Sequence, residues 1–82
     1  MAETVHSYTV IFEPCEEGGY AVTVPALPGC VTQGETLEEA RAMAEEVIVL
    51  YLESLQADGE PIPEDLEAQP RVEKLEVRVE SA

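Results

Sequence analysis

The sequence predicts an α+β domain with the element order β-β-β-α-β, in which one helix packs on one face of a small antiparallel sheet. Three observations support this fold class. Three short segments with the two-residue alternation of strands lie within the first 34 residues. A longer stretch with helical spacing of apolar residues follows, and a final alternating segment closes the chain. With 82 residues, the chain has room for a single domain with one modest core.

The first two strands are predicted to form an antiparallel hairpin. Residues 5–13 alternate around Tyr8 and Phe12, and this strand ends at Pro14. The connecting segment, PCEEGG, has the length of a hairpin loop and contains two glycines that can adopt positive φ. The alternation resumes at Tyr20, so the second strand should run antiparallel to the first.

A corner and a short third strand are predicted next. Pro25 and Pro28 lack the amide proton that a sheet ladder needs, and Gly29 permits a sharp reversal of the chain. The corner leads into the strand CVTQG, which ends at Gly34. Three strands therefore precede the helix.

The helix should begin at Thr36. Thr36 and Glu39 match the capping-box pattern, in which a hydroxyl and a carboxylate satisfy free backbone N–H groups at a helix start. Asp58 and Gly59 provide a stop at the other end. Between them, apolar residues recur at steps of three and four and should form one stripe that covers the sheet. The residues of this stripe are Leu37, Ala40, Ala44, Val47, Ile48, Tyr51 and Leu55.

The final segment, VEKLEVRVE, predicts a fourth strand with one apolar face, formed by Leu75, Val77 and Val79. A four-stranded sheet with one helix leaves its other face and its outer edges without cover. That face would carry Thr9, Ile11 and Thr23 beside Ala21, and it would be half apolar and without charge. We therefore expect a homodimer or a larger homo-oligomer.

The charge of the chain is strongly negative. Its net charge is -14, and residues 35–67 hold eleven acidic residues against one base, Arg41. Such a charge disfavours direct binding to nucleic acid and favours a basic partner, although acidic residues also serve solubility. No apolar run approaches the roughly 20 residues that cross a bilayer, and the N-terminus lacks the features of a signal peptide. We therefore expect a cytoplasmic protein that does not bind membranes.

The sequence contains no recognisable catalytic or metal-binding motif. Cys15 and Cys30 form no CxxC pair, and His6 is the single histidine. A metal-dependent nuclease usually places its acidic ligands on strands, but both aspartates, Asp58 and Asp65, lie outside the predicted strands. We expect no enzymatic activity, no metal and no cofactor. The unusual residues are better explained by local geometry, and the expected fold determinants are Gly18, Gly19, Pro25, Pro28, Gly29, Gly34, Thr36 and Glu39.

These fold determinants occur within a longer pattern that resembles the HicB antitoxin family. The pattern consists of YTVIFEP, then EEGGYAVTVPALPGCVTQGETLEEA, then a helix that ends near ADGEPIPE, over residues 5–65. The resemblance implies a partial ribonuclease-H-like fold without nuclease chemistry. It also implies that the protein neutralises HicA, a small basic toxin with a double-stranded-RNA-binding fold that cleaves messenger RNA. An acidic, non-catalytic chain is suited to cover such a basic surface.

Many members of this family carry a C-terminal DNA-binding module. After Pro70 only the predicted fourth strand remains, so we expect no such module and do not carry transcriptional autoregulation over from the family. Two alternatives to an antitoxin remain open. The chain can be a solitary family member that serves as an oligomeric binding or regulatory module, or it can retain residual ribonuclease-H-like activity.

The predicted partner-binding residues lie around the hairpin loop. The acidic residues of this region stand beside an aromatic residue that can anchor a partner, which is a composition that interface centres and rims use. A solvated loop without a partner is the simpler alternative. The predicted contacts are Glu13, Glu16, Glu17, Tyr20 and Glu35.

Overall fold

The computed structural model describes residues 4–68 and 70–80. These residues form an α+β fold in which an open three-stranded antiparallel sheet, of order β1-β2-β3, is followed by one helix. The predicted fold class and the order of its first four elements are confirmed. The elements are β1 (Ile11–Pro14), β2 (Tyr20–Thr23), β3 (Val31–Gly34) and α1 (Leu37–Ala57).

The register of the sheet separates a helix-facing side from an uncovered side. Phe12 pairs with Val22, and both pack in a core cluster under the helix. The neighbouring row, in which Ile11 pairs with Thr23 and Thr23 pairs with Val31, points the other way because side chains alternate along a strand. Val31 is 60% exposed. The expected second face is therefore apolar in part and uncovered in this chain.

The core consists of two small clusters rather than one large one. In the first, Val22 lies against Ala40 and Ala44, and the small size of the two alanines lets the helix approach the sheet closely. The second cluster lies under the proline corner and contains Val24, Leu27 and Cys30, each 1% exposed.

Both ends of α1 agree with the prediction from the sequence, but one residue of the predicted apolar stripe does not. The Thr36 hydroxyl accepts a hydrogen bond from the N–H of Glu39 at 3.0 Å, and Gly59, with φ of 70°, follows the end of the helix. Leu37 was predicted to cover the sheet, but it is 41% exposed. It occupies the first helical position, three residues before Ala40, where the buried face of the helix begins.

The predicted fourth strand is wrong for this single chain. Residues 70–80 form no strand within the part of the chain that the structure describes. The apolar side chains of Leu75, Val77 and Val79 are 77%, 81% and 83% exposed. Alternation fixes the two faces of a strand, but a strand also needs a ladder partner, and this segment has none here. Its extension gives a radius of gyration of 16.9 Å, against about 12 Å for a compact domain of this length.

The loop that follows α1 returns to the start of β1 and is fixed there by hydrogen bonds. The N–H of Thr9 donates to Oδ1 of Asp65 at 3.0 Å, and its hydroxyl donates to Oδ2 at 2.8 Å. The hydroxyl of Tyr8 donates to the carbonyl oxygen of Pro63. Burial, and secondly the nearby Asp65 carboxylate, raise the pKa of Tyr8. Within residues 4–68 and 70–80, no helix has both the length and the hydropathy that crossing a membrane requires.

Candidate partner-binding groove

An open groove of about 800 Å³ lies between the hairpin turn, the end of β3 and the first turns of α1. We call it the acidic groove, because its lining contains the four carboxylates of Glu16, Glu17, Glu35 and Glu39 and neither Lys nor Arg. Tyr20 and Met43 add apolar surface to the same lining. A concave surface with acidic groups around an aromatic side chain is suited to a basic partner.

The hairpin turn presents two of the four carboxylates at its tip. The turn is closed by the Cys15 N–H, which donates to the Gly19 carbonyl at 3.0 Å, and by the Gly18 N–H, which donates to the Cys15 carbonyl at 3.0 Å. Gly18 and Gly19 have φ values of 100° and 78°, a left-handed conformation that residues with a Cβ rarely adopt. Glu16 and Glu17 therefore stand exposed at one side of the groove.

At the floor of the acidic groove, three backbone segments meet with no side chain between them. A Cβ atom on Gly19 would lie 2.8 Å from the carbonyl oxygen of Gly34, and one on Gly34 would lie 2.5 Å from the backbone nitrogen of Ala40. Both distances are below van der Waals contact, so Gly19 permits the close approach of the hairpin to the end of β3, and Gly34 permits that of β3 to the helix. Tyr20 pairs with Gly34, which places Glu35 next to Tyr20 at the edge of the groove.

The structure brings four of the five predicted partner-binding residues together. Glu16, Glu17, Tyr20 and Glu35 line the acidic groove, although they come from two separate segments of the sequence. Glu13 does not line it. Glu13 lies on β1 opposite Ala21 and points to the uncovered face of the sheet, so the prediction that this face lacks charge is wrong. Whether any of these residues contacts a partner remains a prediction.

Two further lining residues were missed by reasoning from the sequence. The sequence predicts only a capping role for Glu39 and no role for Met43, yet both line the acidic groove. They are four residues apart in α1 and therefore lie on one face of the helix. That spacing was the available signal. It indicates that the two side chains share one face of α1, but it does not indicate that the hairpin turn lies opposite that face.

The carboxylates of the acidic groove are available to cations from outside the chain. Among the described residues, the ion pair between Arg71 Nε and Glu73 Oε2, at 3.8 Å, lies in the exposed C-terminal segment and not in the groove. Within the same residues, no three Asp, Glu, His or Cys side chains converge in a way that could hold a metal ion. The arrangement offers separate negative charges on a surface, which can bind several basic side chains at once.

The two cysteines are expected to differ strongly in reactivity towards Ellman's reagent. Cys15 is exposed beside the acidic groove, whereas Cys30 is buried under the corner, where burial raises its pKa and lowers its thiolate fraction. One thiol should react rapidly in the native protein, and the second should react only on unfolding. The Cys15→Ser variant should lose the fast phase. Equal rates for both thiols in the native protein would show that the corner does not protect Cys30.

Comparison with known proteins gives matches over most of the chain. Residues 8–79 match a sequence model of the HicB-like antitoxins of bacterial toxin-antitoxin systems. A UPF0150 protein of Thermoplasma acidophilum is 53% identical over 58 residues, which are 71% of this chain and 84% of that protein. Antitoxin HicB 1 of Photorhabdus laumondii is 46% identical over 56 residues, 68% of this chain and 36% of that protein. Antitoxin HicB of Escherichia coli is 38% identical over 56 residues, 68% of this chain and 41% of that protein.

Proposed function

The chain belongs to the HicB-like antitoxin family, and from this we propose that it is an antitoxin that binds and occludes a small basic toxin of the HicA type. Family membership supports a role in a toxin-antitoxin system. The acidic groove is the proposed toxin-binding surface, because its lining contains four carboxylates beside Tyr20 and Met43 and no basic residue.

The proposed mechanism is occlusion without chemistry. A toxin that cleaves RNA must hold phosphate groups with Lys and Arg side chains. The carboxylates of Glu16, Glu17 and Glu35 can take those cations in charge-assisted hydrogen bonds and so exclude the RNA backbone from the same surface. Tyr20 is half-buried and can supply the apolar centre of the contact. Opposite charge then raises the association rate, and the packed centre slows dissociation.

The remaining parts of the proposal concern where and how the chain works. We propose a homodimeric, single-domain protein of the cytoplasm that needs no cofactor and catalyses no reaction. It contacts nucleic acid only through its toxin, since its net charge of -14 repels phosphates.

One observation favours a second candidate function. The match covers 84% of the Thermoplasma acidophilum UPF0150 protein but 36% of Antitoxin HicB 1. The 53% identity to the UPF0150 protein supports a second proposal, an oligomeric binding or regulatory module without a toxin. A neighbouring reading frame for a basic protein of roughly 60 to 80 residues separates the two proposals, because only an antitoxin requires it.

Co-expression with that neighbouring protein tests the antitoxin proposal. The chain should restore growth to cells that produce the toxin candidate, and the two proteins should co-purify. Charge-guided association should also slow markedly between low and physiological ionic strength, while dissociation changes less. Failure of both growth rescue and co-purification would exclude the antitoxin role and leave the solitary module.

A further inference from the structure

We propose that the C-terminal segment, residues 71–79, is a donor strand that pairs with the open edge of β1 in a second copy of the chain. Two copies would exchange these strands around a twofold axis, so that each sheet gains its fourth strand from its partner. This inference specifies an interface and does not depend on the identity or existence of a toxin.

The first observation is the exposure of a well-formed strand pattern. Leu75, Val77 and Val79 share one face and are 77–83% exposed, while Lys74 and Arg78 share the other face with acidic residues. Exposing this apolar face to water costs free energy in proportion to its area. A strand with one apolar face and one charged face is suited to the edge of a sheet that is covered by a helix on one face and exposed to solvent on the other.

The second observation is an open sheet edge at β1. The sheet order β1-β2-β3 leaves one side of β1 without a neighbouring strand. At the hairpin end of β1, the N–H of Cys15 donates to the carbonyl of Gly19 and so points to the β2 side. Because N–H directions alternate along an extended strand, those of Ile11 and Glu13 also point to β2, in agreement with their pairing with Thr23 and Ala21, whereas the N–H of Phe12 points to the open side. The edge therefore presents backbone groups that a further strand can pair with.

The third observation is that the two faces of the donor strand match those of β1. On the helix side, Val10 and Phe12 are only half-buried, so Leu75 and Val77 packed beside them would extend the core. The charged face of the donor strand would then lie on the same side as Glu13. An opposite-charge pair between Glu13 and a basic residue of the donor strand would stabilise the pairing across the strands.

The fourth observation is the distribution of charge. Residues 71–80 hold three of the four basic residues of the chain and balance them with three acids, whereas residues 1–70 carry the whole net charge of -14. The donor strand is therefore the part of one copy that can approach the acidic body of another copy with the least repulsion.

A second copy, rather than the same chain, is the proposed acceptor because the segment extends away from its own sheet. The molecule is 67 Å long but only 29 Å and 20 Å across, with a radius of gyration of 16.9 Å. Each copy offers one donor strand and one open β1 edge, so a twofold exchange fills both edges and leaves no donor strand uncovered.

Sedimentation of a variant pair tests whether the apolar face holds the dimer. Val77→Glu and Arg78→Gln each lower the net charge by one, but they lie on opposite faces of the donor strand. Val77→Glu should raise the dimer dissociation constant by about 100-fold or more, because the exchange buries this position twice. Arg78→Gln should change it by less than about 5-fold, as expected for an exposed ion pair. Equal effects of the two substitutions, or a wild-type protein that is monomeric at micromolar concentration, would overturn the proposal.

Isotope-filtered NMR on a dimer refolded from equal amounts of ¹³C-labelled and unlabelled chain identifies the acceptor. Contacts between the methyl groups of Val77 and the ring of Phe12 should appear between labelled and unlabelled chains. The same contacts within one chain would place the donor strand on its own sheet and overturn the exchange. Protection of the segment only after a basic protein is added would overturn it as well, because the acceptor would then be that protein.

Discussion

Replacing Gly34 with alanine is expected to lower the free energy of unfolding by about 3 kcal/mol, as overpacking of a filled site does. Its new Cβ atom would lie 2.5 Å from the nitrogen and 2.6 Å from the Cα of Ala40. Both atoms belong to the helix backbone, which cannot rotate away as a side chain can. The start of α1 would have to move off β3, and the floor of the acidic groove would move with it. Thermal unfolding should report a loss of about 12–24 °C in Tm for a domain of this size.

Gly18→Ala is the matched control for this prediction. A Cβ atom on Gly18 meets nothing within 4 Å, but the residue has a φ of 100°. Its substitution should cost about 1–2 kcal/mol, the conformational penalty of an L-residue in the left-handed region. Gly34 has no such positive φ, so the two variants separate steric overlap from backbone strain. A Gly34→Ala variant that unfolds at the wild-type temperature would show that β3 and the helix are not held in close contact there.

Reversing three charges in the acidic groove is expected to weaken toxin binding by about 1,000-fold or more, since each like-charge contact costs on the order of 1–2 kcal/mol or more at an interface. The variant carries Glu16→Lys, Glu17→Lys and Glu35→Lys. All three side chains are exposed around the groove, so the fold should be retained. Biolayer interferometry with the co-purifying basic toxin should show the loss mainly as slower association at low salt.

The matched control reverses three exposed glutamates on the outer face of α1. Glu45→Lys, Glu46→Lys and Glu53→Lys together change the net charge by the same amount but do not line the acidic groove. This variant should bind the toxin within about 10-fold of wild type, through the long-range field alone. If both triple variants lose affinity equally, the net charge and not the acidic groove recruits the partner.

The elements that sequence reasoning located correctly are those with local causes. Thr36 identifies the helix start because its hydroxyl bonds to the N–H of Glu39, only three residues along the chain. Gly18 and Gly19 identify the hairpin turn because the turn itself demands positive φ. In each case the interacting groups are close in sequence, so the pattern contains both partners.

The errors concern contacts between distant segments. Leu75 and Val77 have the alternation of a strand, but the pattern does not say which edge would receive them, and in the single chain none does. Leu37 has the spacing of the buried stripe but is exposed at the first helical position. Helical periodicity fixes the angle of a side chain around α1, whereas its burial depends on how far the sheet extends beneath it.

The candidate groove was partly predictable for the same reason. Glu16, Glu17 and Tyr20 belong to one hairpin, so their proximity follows from the turn. Glu39 and Met43 join them because the backbone of Gly34 touches that of Ala40, a contact between the sheet and the helix. Neither composition nor periodicity reports such an approach. The acidic character of the region was visible in the sequence, but its concave shape was not.

We propose that the acidic groove occludes a basic ribonuclease toxin. The most direct test is the rate of RNA cleavage by the purified toxin candidate from the neighbouring reading frame, measured with increasing amounts of this chain. Cleavage should fall to background at near-stoichiometric amounts of the wild-type chain, and it should persist when the chain carries Lys at positions 16, 17 and 35. Undiminished cleavage in the presence of excess wild-type chain would contradict the claim.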